Sequence, residues 1–143
     1  MTFGIIGSGA FGTALSISLS STNKKLILWT RNQDVVNSVQ EIRENRLRLP
    51  GYILPQNITV TNDINQMGNC SIILIAVPMQ QLRSLVELHR SSLEGKILVA
   101  CCKGFEVSTG QGPTSILEMA SNKTAVLTGP SFAADLASGF PTA

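Results

Sequence analysis

The chain has 143 residues, enough for one domain with a real core, and 43% of them are hydrophobic. Only 14% are charged, against ~25% in average soluble domains, so part of the surface is expected to be covered by a partner or by further chain. The net charge of +2 is too small to argue for nucleic acid or an anionic membrane as partner, and no apolar run approaches the ~18–20 residues of a membrane span. The apolar start carries no basic leader, so it suits a βα turn better than a signal peptide.

Short β-like runs alternate with helical ones. Phe3–Ile6 reads as a first strand and Ala10–Ser20 as a helix with Leu15 and Leu19 on one face. A polar turn, Ser21–Lys24, leads into a second strand, Lys25–Thr30. Asp34–Glu44 has Val35, Val39 and Ile42 at helical spacing. Pro50, Gly51 and Pro55 then enforce a loop. Ile58–Thr61 is a third strand and Ser71–Val77 a fourth. A helix follows over Met79–Arg90, then a fifth strand, Lys96–Cys101. Pro113–Ala120 starts a helix with proline in its first turn, where the missing N–H does no harm. Ala125–Thr128 is a sixth strand and Phe132–Ser138 a last helix.

"SIILIAV" and "KILVAC" are continuously apolar, as parallel strands covered on both faces must be. The expected fold class is therefore α/β, a doubly wound, mostly parallel sheet of the Rossmann-like dinucleotide-binding type, occupying residues 1–143. The chain ends without a closing element and is expected to be a piece cut at a domain boundary. Cys70, Cys101 and Cys102 form neither a disulfide framework nor a metal pair and are expected to be reduced packing residues. No metal site is expected.

Gly7, Gly9 and Gly12 form G-x-G-x-x-G directly after the first strand and at the start of the first helix. Gly7 permits the turn, Gly9 lets the backbone approach a pyrophosphate, and Gly12 lets helix and sheet pack closely. The helix start then offers N–H groups and a positive dipole end to the phosphates. Without its flanking elements the motif would be weak; between strand and helix it points to a dinucleotide.

The second strand ends in "WTRN", with no carboxylate where an NAD-selective site carries one. Arg31 suits stacking on adenine or pairing with a 2′-phosphate, so NADPH is tolerated or preferred. Asp34 offers an alternative reach back to the ribose. Pro78 ends the fourth strand and either packs against the nicotinamide half or simply turns the chain. Lys103 and Gly104 follow the fifth strand, where a lysine either meets a phosphate or carbonyl oxygen or is a plain surface residue. Gly129, Pro130 and Ser131 follow the sixth, with Ser131 placed to cap the last helix. His89, the only histidine, lies late in an amphipathic helix and is not expected to be catalytic.

Taken together, "GSGAFGTAL", "LWTRN", "ENRLRLPG", "AVP", "CKGFEVSTG" and "GPSFAADLASGFPTA" resemble the N-terminal domain of the bacterial-type soluble NAD(P)-dependent glycerol-3-phosphate dehydrogenases. The resemblance runs over the whole chain, and its last string is the most specific. It implies reversible hydride transfer between NAD(P)H and dihydroxyacetone phosphate, giving sn-glycerol 3-phosphate for phospholipid synthesis in the cytoplasm. It also implies dinucleotide contacts from Gly7, Gly9, Ala10, Phe11, Gly12, Arg31, Pro78, Lys103 and Ala133, and substrate contacts from Lys103, Gly129 and Ser131.

Three positions depart from the family pattern. Ala10 stands where serine is frequent, which removes a side-chain phosphate bond. Arg48 stands where an aromatic is usual, and Asp135 replaces a common glutamate. The family's helical C-terminal domain, with its general acid/base lysine, is absent from these residues. The fragment is thus expected to bind cofactor without turnover. Its expected partners are a small phosphorylated substrate and the missing domain, with a homodimer open to the full-length protein, but neither nucleic acid nor stable membrane insertion. Two rivals remain: the cofactor domain of a 6-phosphogluconate or hydroxyacid dehydrogenase, and a non-catalytic dinucleotide-binding sensor.

Overall fold

Six strands form one sheet in the order β3-β2-β1-β4-β5-β6, and every pair is parallel. They are β1 (Phe3–Ile6), β2 (Leu26–Trp29), β3 (Ile58–Thr61), β4 (Ile72–Ile75), β5 (Ile97–Ala100) and β6 (Thr124–Val126). The connecting helices are α1 (Ala10–Ser20), α2 (Gln33–Ile42), α3 (Leu82–Leu88), α4 (Arg90–Leu93), α5 (Pro113–Leu117) and α6 (Ala133–Ala137). This computed structural model describes every residue except Asn23, Thr142 and Ala143. One residue of the expected Ser21–Lys24 turn and the end of "GFPTA" therefore lie outside the described residues.

The doubly wound, parallel architecture is the one the apolar runs predict. Successive residues of a strand point to opposite faces, and Ile5 and Ile6, both fully buried, divide accordingly. Ile5 joins Leu28 and Leu74 beneath Leu15, Val35 and Val39 of α1 and α2. Ile6 joins Trp29, Ile75 and Leu98 beneath Leu82, Val86 and Ile116 on the other side. The central strands β1, β2 and β4 are thus covered on both faces, whereas the edge strands β3 and β6 keep exposed positions at Thr59, Ala125 and Val126. Strand order reverses between β1 and β4, and in such sheets ligands bind beyond the carboxyl ends at that reversal.

Several boundaries differ from expectation. The helix expected over Met79–Arg90 is broken into a 3-10 turn (Met79–Gln81), α3 and α4. His89, at φ −117° and ψ 22°, separates the last two. Expected helix Asp34–Glu44 ends at Ile42, because Arg43 adopts the left-handed conformation with φ 56°. That conformation is unusual for a residue with a side chain. Here the guanidinium donates to the carbonyls of Leu54, Pro55 and Ile58, which fixes the chain reversal. A 3-10 turn over Ile64–Asn69, entered through the Asp63 carboxylate accepting from the Asn65 N–H, is an element the periodicity did not announce.

The three cysteines are free and buried, packed into the core as their apolar surroundings predict. Burial pushes the Cys101 thiol up to about 12, with its neighbour Cys102 adding to the effect. The low charge content has a visible counterpart around the outer edge of the sheet. Val126 and Leu127 are exposed there, Phe132 and Phe140 are exposed on either side of α6, and Phe105 and Val107 are exposed in the loop after β5. Among the described residues, no helix is long and apolar enough to cross a membrane.

Candidate functional site

The turn after β1 is set by two close approaches. Gly7 has φ +108°, and a Cβ there would stand 2.5 Å from the carbonyl oxygen of Ala76 at the end of β4. A Cβ on Gly12 would overlap the carbonyl oxygen of Gly7 itself. Turn, helix and sheet are therefore stacked at a spacing that excludes any side chain at either position. Gly9 differs. Its backbone is in an ordinary extended conformation, and a Cβ there would meet no atom within 4 Å. The space beside it is open.

Gly9 is the N-cap of α1 and has no side chain with which to cap it. The first N–H groups of a helix lack intrahelical acceptors and carry its positive dipole end. Gly9 itself lines an open cleft, so this helix start is a fitting cradle for a phosphate-bearing group.

Ser8, between the two glycines, is buried and tied down on both sides. Its hydroxyl donates to Thr30 Oγ1 at 2.7 Å, linking the turn to the end of β2. Its carbonyl accepts from Asn45 Nδ2 at 2.9 Å and from the Thr13 hydroxyl at 3.3 Å. Asn45 Nδ2 also donates to Thr13 Oγ1 at 2.9 Å, and Asn45 is wholly buried. The backbone that shapes the cleft is thus held by a side-chain network as well as by packing.

The cleft has a volume of ≈ 670 Å³ and opens at the β1/β4 reversal. Gly7 and Gly9 line it from β1, Trp29 and Arg31 from β2, and Pro78 and Gln81 from the segment after β4. Arg31 Nη2 donates to Gln81 Oε1 at 3.3 Å across it. Among the described residues, no aspartate or glutamate lines it. Asp34, the alternative ribose contact, is absent from the lining; its backbone N–H donates to Asn32 Oδ1 at the start of α2. Arg48 reaches the rim from the loop after α2. His89 also lines the cleft, its ring edge-on to Trp29 at 5.5 Å between centroids, and burial lowers its pKa from 6.5.

A smaller cavity of ≈ 170 Å³ lies on the other side of the α1 start, where Phe11, Lys103, Gly129 and Ser131 come together with Cys101 and Leu136. Lys103 Nζ donates to the Gly129 carbonyl at 3.2 Å. The predicted site residues therefore fall into two groups, Gly7, Gly9, Arg31 and Pro78 in the cleft and the rest of the motif corners in this cavity. Ala10, Gly12 and Ala133 line neither. One local expectation is corrected: Phe132, not Ser131, occupies the N-cap of α6, because the helix begins at Ala133.

With this geometry in hand, residues 2–143 match the family model described as the N-terminus of NAD-dependent glycerol-3-phosphate dehydrogenase. The chain belongs to that family. It is 48% identical to a glycerol-3-phosphate dehydrogenase [NAD(P)+] of Ruegeria sp. strain TM1040, over 100% of this chain and 45% of the relative. Against the same-named protein of Roseobacter denitrificans it is 46% identical, again over 100% and 45%. The chain thus spans less than half the length of these relatives. In fold it is similar to a glycerol-3-phosphate dehydrogenase structure from Coxiella burnetii, with a TM-score of 0.89 at 24% identity, covering 99% of this chain and 44% of the other.

Within this glycerol-3-phosphate dehydrogenase N-terminal fold, sequence reading missed Gln81, Ser84 and Leu85 on the cleft wall and the Ser8–Thr13–Asn45 network beneath it. The first group had a signal: Pro78 stands just beyond a strand at the reversal, so the residues after it must pass the cleft. The network had none, since Asn45 is 37 positions from Ser8.

Proposed function

We propose that this chain is the dinucleotide-binding part of a glycerol-3-phosphate dehydrogenase acting on NAD(P)H and dihydroxyacetone phosphate, with sn-glycerol 3-phosphate as product. The observation that carries the reading is the open start of α1. Gly9, the N-cap without a capping side chain, leaves room at the helix start, and it lines a cleft with Arg31 and Arg48 and, among the described residues, no carboxylate. A pyrophosphate fits such a place by charge and by hydrogen bonding.

The bound dinucleotide would supply the hydride. The chain's own part is to bind and orient. Gly7, Gly9 and Gly12 set the turn under the pyrophosphate, with Ala10 and Phe11 opening the helix against it. Arg31 serves the adenosine end, where the missing acid leaves a 2′-phosphate acceptable, so NADPH is tolerated or preferred. Pro78 walls the cleft. Lys103 and Ala133 complete the dinucleotide contacts, and Lys103, Gly129 and Ser131 meet the phosphorylated ketone. A cationic lysine at the reacting carbonyl stabilises the oxyanion that hydride delivery creates.

General acid/base chemistry falls to a lysine of a second, helical domain, so the present residues bind cofactor but do not turn over alone. The exposed Val126, Leu127, Phe132 and Phe140 are the apolar side chains offered for that domain to cover. The full-length protein is a cytoplasmic enzyme, with homodimer formation open to it.

The test is NADPH oxidation by the full-length gene product with dihydroxyacetone phosphate. Turnover that falls by about 100-fold or more in Lys103→Ala is expected. No turnover in the parent, with NADPH bound, overturns the assignment.

A further inference from the structure

The segment that walls the cleft also grips the loop that carries Lys103. Pro78 and Gln81 face the cleft, and Gln81 accepts from Arg31. Gln80, between them, turns the other way. Its Nε2 donates to the Phe105 carbonyl at 2.9 Å, and its Oε1 accepts from the Val107 N–H at 3.0 Å. Three residues on, Arg83 forks onto Glu106. Nε lies 2.9 and 3.0 Å from the two carboxylate oxygens, and Nη2 lies 2.8 Å from Oε2.

Glu106 is only 5% exposed, an uncommon place for a carboxylate unless it has a purpose and a partner. It also accepts from the Thr109 hydroxyl, while Arg83 donates to Gln111. The loop closes on itself through Glu106 N–H to Gln111 O at 2.9 Å and Gly110 N–H to Glu106 O at 2.7 Å. Glu106 lies three residues from Lys103, whose own ammonium is anchored on Gly129.

We propose that Gln80, Arg83 and Glu106 are positioning residues that fasten the Lys103 loop to the cleft wall, so that dinucleotide in the cleft steadies the lysine. The proposal rests on the reading of the cleft as a dinucleotide site and of Lys103 as the group that meets the ketone. A surface ion pair joining two neighbouring elements would stabilise and do no more. This one joins the segment that walls the cleft to the loop that begins at Lys103, which lines the smaller cavity. Closing the dinucleotide against Pro78 and Gln81 restrains Gln80 and Arg83, which are on the same short stretch of chain, and through them the loop.

The test compares the parent with Glu106→Gln and Gln80→Met in the full-length gene product. Gln80 is exposed, so its variant keeps the question open to measurement if Glu106→Gln fails to fold. Trp29 lines the cleft, and its fluorescence reports dinucleotide binding. Hydrogen exchange at the Val107 and Gly110 amides reports the loop. In the parent, NADPH should slow exchange there by about threefold or more. Both variants should lose that slowing while their Kd for NADPH stays within about twofold of the parent. In turnover, KM for dihydroxyacetone phosphate should rise about fivefold with KM for NADPH nearly unchanged.

NADPH binding with no change in loop exchange in the parent overturns the proposal and leaves the functional reading standing. Slowing that survives in both variants, or KM values for ketone and NADPH that move together, also overturns it. No fluorescence response to NADPH or NADH overturns the functional reading itself, and the proposal with it.

Discussion

The carbonyl oxygen of Gly7 occupies the space that a side chain on Gly12 would need, whereas a side chain on Gly9, two residues after Gly7, would meet no atom within 4 Å. The same motif thus holds glycines for two different physical reasons. Gly12 is required by the fold, and Gly9, on the proposed reading, by what enters the cleft. Gly12→Ala should destabilise the protein by about 3 kcal/mol or more, since a backbone carbonyl cannot step aside as a rotamer can. Gly9→Ala should leave stability within about 0.5 kcal/mol of the parent, because its φ and ψ suit any residue. Yet it should weaken dinucleotide binding by about tenfold or more, through the methyl placed at the pyrophosphate. Urea unfolding and Trp29 fluorescence titration separate the two effects. Equal stability losses in both variants would contradict the division.

Arg31 is the cation at the end of β2, held at 3.3 Å from Gln81 and unopposed by any carboxylate in the cleft lining. If it receives a 2′-phosphate, Arg31→Glu replaces a charge-assisted bond by repulsion. NADPH affinity should then fall by about tenfold or more, and NADH affinity by much less. Titrations of both dinucleotides by Trp29 fluorescence check this. An unchanged ratio of the two affinities would remove Arg31 from the phosphate subsite.

The features legible in the sequence are those that one residue imposes on its neighbours. Gly7 and Gly12 punctuate β1 and α1, so those bounds read correctly from the motif. Ile58–Thr61 does too, entered after Pro55 and left at a polar turn. The unbroken apolar runs of β4 and β5 announce a sheet covered twice. Features that depend on distant pairing were not legible. The break at His89 interrupts an amphipathic pattern that continues on both sides of it. Arg43 ends α2 early only because three carbonyls 11 to 15 residues ahead receive its guanidinium. Glu106 looks like a surface acid in "KGFE" until Arg83, 23 positions earlier, is brought against it. Arg48 is visible as a departure from the family pattern, but its place on the cleft rim comes from the fold.

Asn45 is buried to 0% exposure and gives both protons of its amide to the turn, one to the Ser8 carbonyl and one to Thr13 Oγ1. Its Oδ1 is also buried and has no hydrogen-bond partner among the described residues. Asn45→Ala removes that orphan oxygen but leaves the Ser8 carbonyl with the longer Thr13 bond alone. The loss should outweigh the relief, with a net destabilisation of about 1–3 kcal/mol. Dinucleotide affinity should fall as well, because the network holds the backbone on which Gly9 stands. Denaturant unfolding combined with NADPH titration tests both. Full stability with full affinity would show the network to be dispensable.

Glu106 and His89 give the protein two distinct acid sensitivities. Arg83, and then the Thr109 hydroxyl, hold the Glu106 carboxyl below its ordinary value of 4.5. A carboxyl depressed on folding contributes stability that is complete above the unfolded value and is lost as pH falls through the folded one. For His89, burial lowers the folded pKa below 6.5. The unfolded chain therefore takes up the proton first, and stability is lost as pH falls from 6.5 through the folded value. The unfolding midpoint should accordingly decline in two stages, the first below neutrality and the second in the carboxylate range. His89→Phe keeps a ring against Trp29 and should erase the first stage only. Glu106→Gln should flatten the second only. Thermal unfolding followed across both pH windows checks the assignment, and a first stage that persists in His89→Phe would show that another group titrates there.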